Sequence, residues 1–190
     1  MLASLLASIA CSGSAPNSGA PLPMGTPADR FWALVETARA GGSGCSRIAR
    51  RLTDTLAALP PATIQEFDHE LSVRLAESYR WDLWAVAYVA KGGASDDAFD
   101  YFRGWLLTRG RQQFETALRD APTAVSGASR LDDLECDAVL GVAHEAYERV
   151  THQPLPRSTV AWPSVPAGRP WTEETIDQVY PGLTARVEQR

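Results

Sequence analysis

Between Trp81 and Ala90 the chain is apolar almost all the way round: Leu83, Trp84, Ala85, Val86, Ala87, Tyr88 and Val89 leave no polar face. A helix of that kind has to be buried, so the fold must supply a shell around it. Lys91 falls in its last turn, and Gly92-Gly93 stops it. Ser95 is placed to cap the following helix, Asp96 to about Arg109, with Asp96 and Asp97 in its first turn, where carboxylates meet the positive end of the helix dipole. Phe99, Phe102, Trp105 and Leu106 form the core side of that helix.

The shell is legible as amphipathic helices. Asp29–Ala40 carries Phe31, Leu34, Val35 and Ala38 at helical spacing and ends in Gly41-Gly42-Ser43-Gly44. Ser46–Leu59 places Ile48, Leu52, Leu56 and Leu59 on one face before Pro60-Pro61 breaks it. A third helix opens at Pro61 and carries Ile64, Phe67, Leu71 and Leu75. Gln112–Leu118 reads as a short helix, and Leu131–Val150 as a long one. From Gln153 to Pro170 the period disappears among Pro154, Pro156, Pro163, Pro166 and Pro170, which exclude a helix interior. Leu155, Val160, Trp162 and Val165 interleave with them, so this segment is expected to lie as an extended arm on the core, anchored by a buried Trp162. Thr172 is placed to cap a last short helix that Pro181-Gly182 ends. The expected fold is mainly α: one compact domain of about seven helices over residues 29–190, with a proline-rich arm at 153–170.

Residues 1–28 are read as a disordered leader or a mis-assigned start, with Met24 as the alternative initiator, because Ser12–Pro23 cannot bury enough apolar surface to fold. Ile9-Ala10-Cys11 is similar to a lipoprotein cleavage site, which keeps export open. The positive segment that precedes such a site is missing, and Ser8 replaces its large aliphatic residue. Cys11, Cys45 and Cys136 are odd in number and widely spaced, so free thiols in a reducing cytoplasm are expected rather than a disulfide framework. A net charge of -5 argues against nucleic-acid binding, and no apolar run reaches the ~20 residues of a membrane span.

The candidate sites follow from spacing. Asp96, Asp97 and Asp100 share helix surface and could ligate a divalent cation; the competing reading is a helix start capped by Ser95. Arg103, three residues after Asp100 and seven after Asp96, either pairs with those acids or waits for an anionic ligand. Trp81, Trp84 and Trp105 either fill the core or line a pocket. His144, Glu148 and His152, at steps of four, form a weaker metal candidate, and Arg47, Arg50 and Arg51 either a solvated face or a patch for an acidic partner. No phosphate-binding loop, nucleophile elbow, zinc-protease helix or dinucleotide fingerprint is present, and no cofactor or metal is assigned.

The string Trp81-Asp82-Leu83-Trp84, then Gly92-Gly93-x-Ser95-Asp96-Asp97-x-Phe99-x-Tyr101-Phe102-Arg103-x-Trp105-Leu106, resembles the core signature of the bacterial domain-of-unknown-function 4240 family. Phe31-Trp32-x-Leu34 and Ala143-x-x-Ala146-Tyr147-Glu148 are similar to its flanks, so the resemblance runs from about Asp29 to Arg186. It implies one folded unit and no particular chemistry. The functional expectation is a cytoplasmic interaction or regulatory module that recognises a protein or small molecule through Gly92–Arg103, without enzymatic activity. The alternative is a metal-dependent hydrolase built on Asp96, Asp97 and Asp100.

Overall fold

Trp81–Lys91 forms helix α4, and its Leu83, Ala85, Val86 and Ala87 are fully enclosed. The structure, a computed structural model, describes residues 24–129 and 134–189. Residues 1–23 of the expected leader, Cys11 among them, lie outside the described residues, and its last two positions, 27 and 28, are already helical. The other helices are α1 (Pro27–Ala40), α2 (Cys45–Leu56), α3 (Pro61–Glu77), α5 (Asp96–Thr108), α6 (Arg111–Arg119), α7 (Val142–Thr151), α8 (Ile176–Val179) and α9 (Leu183–Glu188), with 3₁₀ turns at Ala121–Val125 and Ala138–Gly141. Nine α-helices and no strand are present among the described residues, against about seven expected.

Local chemistry sets the boundaries. α1 starts two residues earlier than its apolar period suggests because Thr26 caps it: the Asp29 amide donates to Thr26 Oγ1, and the Thr26 amide donates to the Asp29 carboxylate. Gly92, in the left-handed region at φ 73°, closes α4, and Ser95 Oγ accepts the Ala98 amide at 3.3 Å to open α5. α5 is the hub, in contact with α1, α2, α3, α4 and α6. α7 packs on α2 and α3, while α4 is covered by the Ala121–Val125 turn and by α9.

Four expectations need correction. The helix read from Leu131 begins only at Val142; residues 131–133 lie outside the described residues, and Leu134 has a left-handed φ of 54° that no continuing helix tolerates. Next to it the Cys136 amide donates to Tyr101 O on α5 at 2.8 Å. Gly104 makes that approach possible, since a Cβ there would meet Cys136 O at 2.3 Å. The thiols of Cys45 and Cys136 are not free: they form a disulfide between the start of α2 and this loop.

The arm is docked, but not through a buried Trp162, which is 51% exposed. Backbone holds it instead: Ala167 N donates to Tyr79 O, Ala167 O accepts from Trp81 N, and Trp171 Nε1 donates to Trp81 O at 2.8 Å. Finally, Thr172–Thr175 is a turn tied by the Thr175 hydroxyl, so the helix expected at Thr172 starts at Ile176, and α9 follows where no helix was read.

Candidate functional site

The aromatic residues of α4 and α5 form a continuous stack. Trp81 lies 5.4 Å from Trp84, Trp84 lies 4.9 Å from Phe99 with the rings nearly parallel, and Phe99 continues to Phe102 and Trp105. Trp84 Nε1 donates to Ala94 O at 3.0 Å, which fixes the Gly92–Ser95 turn against the stack. Trp81 and Trp84 thus serve packing and turn geometry.

Arg103 is 1% exposed and sits at the edge of this stack. Its guanidinium carbon lies 5.0, 5.1 and 5.4 Å from the ring centres of Tyr79, Phe99 and Trp162. Nη1 donates to Leu75 O at the end of α3, and Nη2 is ion-paired with Asp100, whose carboxylate is half-exposed. A charge enclosed this way needs its partner, because desolvation is repaid only when counter-charge and hydrogen bonds are in place. Arg103 is therefore the residue that ties α3, α5 and the arm together. Its Nε has no acceptor among the described residues.

Asp96 and Asp97 stand exposed in the first turn of α5, and Ser95 caps it. Asp96, Asp97 and Asp100 share one side of the helix, with Asp100 turned to Arg103. No group of three His, Cys, Asp or Glu side chains among the described residues is placed to hold a metal ion. His144 Nε2 is 3.9 Å from Asp68 Oδ1 across α3 and α7, and burial pushes the Asp68 carboxyl up while His144 offsets part of that rise. Glu148 is exposed, and His152 lies past the helix in the left-handed region. Arg47 and Arg51 lie against the bare backbone of Gly42 and Gly41, and Arg50 is exposed.

A second feature was not read from the sequence. At the other end of α5 a cavity of about 570 Å³ opens between the α1–α2 loop and the helix terminus. Trp105, Thr108, Arg109, Arg39, Glu36 and Cys45 are among its walls, so Trp105 does reach a cavity, whereas Trp81 and Trp84 do not line this one. Arg109 lies 5.4 Å over the Trp105 ring, and its Nε is buried without a partner among the described residues. The Gly41–Gly44 run was legible as a helix stop; that it also forms a cavity wall depends on its meeting α5, which spacing does not reveal.

Comparison with the curated proteins and with solved structures finds no match. The sequence model of one family does match, over residues 27–149, from the first residue of α1 into α7. That span takes in the stack, the capped turn and Arg103. It exceeds half of the 190 residues, and the chain belongs to the family described as protein of unknown function (DUF4240).

Proposed function

We propose that the chain is a non-enzymatic recognition module whose contact surface is the start of α5 together with the arm laid beside it. The observation that carries this reading is the disposition of the α5 acids. Asp100 neutralises a buried arginine, and Asp96 and Asp97 sit at a capped helix start, where each contributes roughly 0.3–1 kcal/mol through the helix dipole. A hydrolase would need the same carboxylates converging with further polar groups in a concave site. What remains for a partner is a half-exposed Trp162 ring, the exposed Val165, and the adjacent exposed carboxylates of Asp96 and Asp97. Aromatic faces and carboxylates together suit a cationic peptide segment.

The test uses the intact protein with a lysine- and arginine-rich peptide and an acidic peptide of equal length, followed by tryptophan fluorescence. Saturable binding of the basic peptide, weakened by Trp162→Ala and by the Asp96→Asn/Asp97→Asn pair, supports the module. Equal response to both peptides, or binding indifferent to these variants, contradicts it. A metal-dependent hydrolytic activity abolished by Asp97→Asn would favour the alternative.

The disulfide bears on where the module works. The expectation of a cytoplasmic location rested on free thiols, and Cys45 bonded to Cys136 supports an oxidising compartment instead. No helix among the described residues is long and apolar enough to cross a membrane. Alkylating the protein in freshly lysed native cells tests this. Protection of both cysteines until a reductant is added supports the oxidising compartment; immediate labelling of both restores the cytoplasm.

A further inference from the structure

We propose that the cavity at the C-terminal end of α5 is a binding site for a small anion, held through a phosphate or carboxylate group by Arg39 and Arg109. This site is separate from the peptide-facing surface and does not depend on that reading.

Arg109 is the first of the two arginines. No acid lies within ion-pair distance of it among the described residues; its guanidinium rests on Trp105, its Nη2 reaches only Ser126 O at 3.4 Å, and its Nε is buried without an acceptor. With Nε enclosed, the Nη groups are what a ligand in the cavity can meet, and a guanidinium with no counter-charge beside it suits the oxygens of an anion. The acids that line the same cavity are already engaged. Glu36 takes the Arg39 guanidinium at 2.5 Å and the Arg111 amide at 3.1 Å, and Glu135 is paired with Lys91.

The facing wall adds donors. α2, a helix of 12 residues, begins at Cys45 with no side chain accepting from its first turn. Its leading amides are left to solvent or ligand, at the end of the helix that favours negative charge. Gly44, at φ 99°, gives the approach to them, and a Cβ there would meet nothing within 4 Å, so the space in front is open. The wall is also fixed in place: Cys45 is bonded to Cys136, beside Glu135 on the opposite rim. Arg109 just past α5, Arg39 at the end of α1, where it also pairs with Glu36, and the start of α2 at Gly44 and Cys45 therefore line one volume large enough for a small organic anion, in a frame cross-linked by the disulfide.

The experiment is thermal melting of the intact, oxidised protein with inorganic phosphate and, in a second series, acetate, at ionic strength held constant with sodium chloride. A saturable rise in melting temperature is expected with at least one probe, because binding to the folded state alone stabilises it. A response to phosphate alone assigns a phosphate group, and to acetate alone a carboxylate. Arg39→Gln and Arg109→Gln should each weaken the apparent affinity at least about tenfold, some 1.4 kcal/mol. Arg39→Gln serves where loss of the Trp105 stack disturbs folding. Arg149→Gln, on α7 and outside the cavity, should leave the response intact. Absence of a saturable rise with either probe, or a rise that survives both cavity variants, or one that Arg149→Gln removes equally, overturns the site.

Discussion

Arg103 concentrates the physics of this molecule at the scale of one side chain. The Asp100 carboxylate that neutralises it is half-exposed, so losing the arginine would leave an acid that water can reach. The cost of Arg103→Ala comes instead from the emptied space between Tyr79, Phe99 and Trp162 and from the lost bond to Leu75 O, about 2–4 kcal/mol by chemical denaturation. Arg103→Lys should recover only part of it, since an ammonium lacks the flat face and the fork that reaches two acceptors. Trp162→Ala should cost only about 1–2 kcal/mol, because half of the ring never leaves water. Gly104→Ala sets two effects against each other. Helix propensity favours alanine by about 1 kcal/mol. A methyl 2.3 Å from Cys136 O forces the loop off α5, at roughly 1–3 kcal/mol or more. The clash is with backbone that is also held by the Tyr101 bond and the disulfide, so the variant should be destabilised.

At the scale of elements, capping chemistry decides where helices start. Ser95→Ala should lower stability by about 1 kcal/mol, read from the denaturation midpoint. Hydrogen bonds from Thr26, then from Arg111, hold the Asp29 carboxyl down to about 2. A carboxyl depressed in the folded state contributes stability that is present above its unfolded value of about 3.9 and lost as pH falls toward the folded one. Asp29→Asn should therefore flatten the acid side of the stability profile between about pH 4 and pH 2 and leave the neutral side unsloped by this group.

The same chemistry explains what the sequence made legible. α3, α4 and α5 were readable because their apolar period, prolines, glycines and the Ser95 cap all act within one turn. The Asp100–Arg103 pair was readable because a step of three is local. Leu75 O and Trp162 were not, since they reach Arg103 from 28 and 59 residues away in sequence. The apolar period of Leu134, Ala138 and Val142 was compatible with a helix, and a left-handed Leu134 beside a cross-linked Cys136 overruled it.

For the whole molecule, the disulfide closes a loop of 91 residues that contains α2, α3, α4, α5 and α6. A closure of that length restricts the unfolded chain by about 4.6 kcal/mol in the chain-entropy account. Melting in the presence of reductant should fall accordingly, and the Cys45→Ser/Cys136→Ser pair should match the reduced protein. An unchanged midpoint would mean that the cysteines are not bonded in solution. The central claim, that the α5 acids organise a recognition surface and do not assemble a catalytic metal centre, meets its most direct test in the melting temperature measured with and without millimolar magnesium, manganese or zinc. The account predicts no change in the wild-type midpoint, because Asp100 is committed to Arg103 and Asp96 and Asp97 find no third ligand among the described residues. A cation bound only by the folded state would add about 2.7 kcal/mol at a hundredfold excess over its Kd, and such a rise, absent in Asp97→Asn, would contradict it.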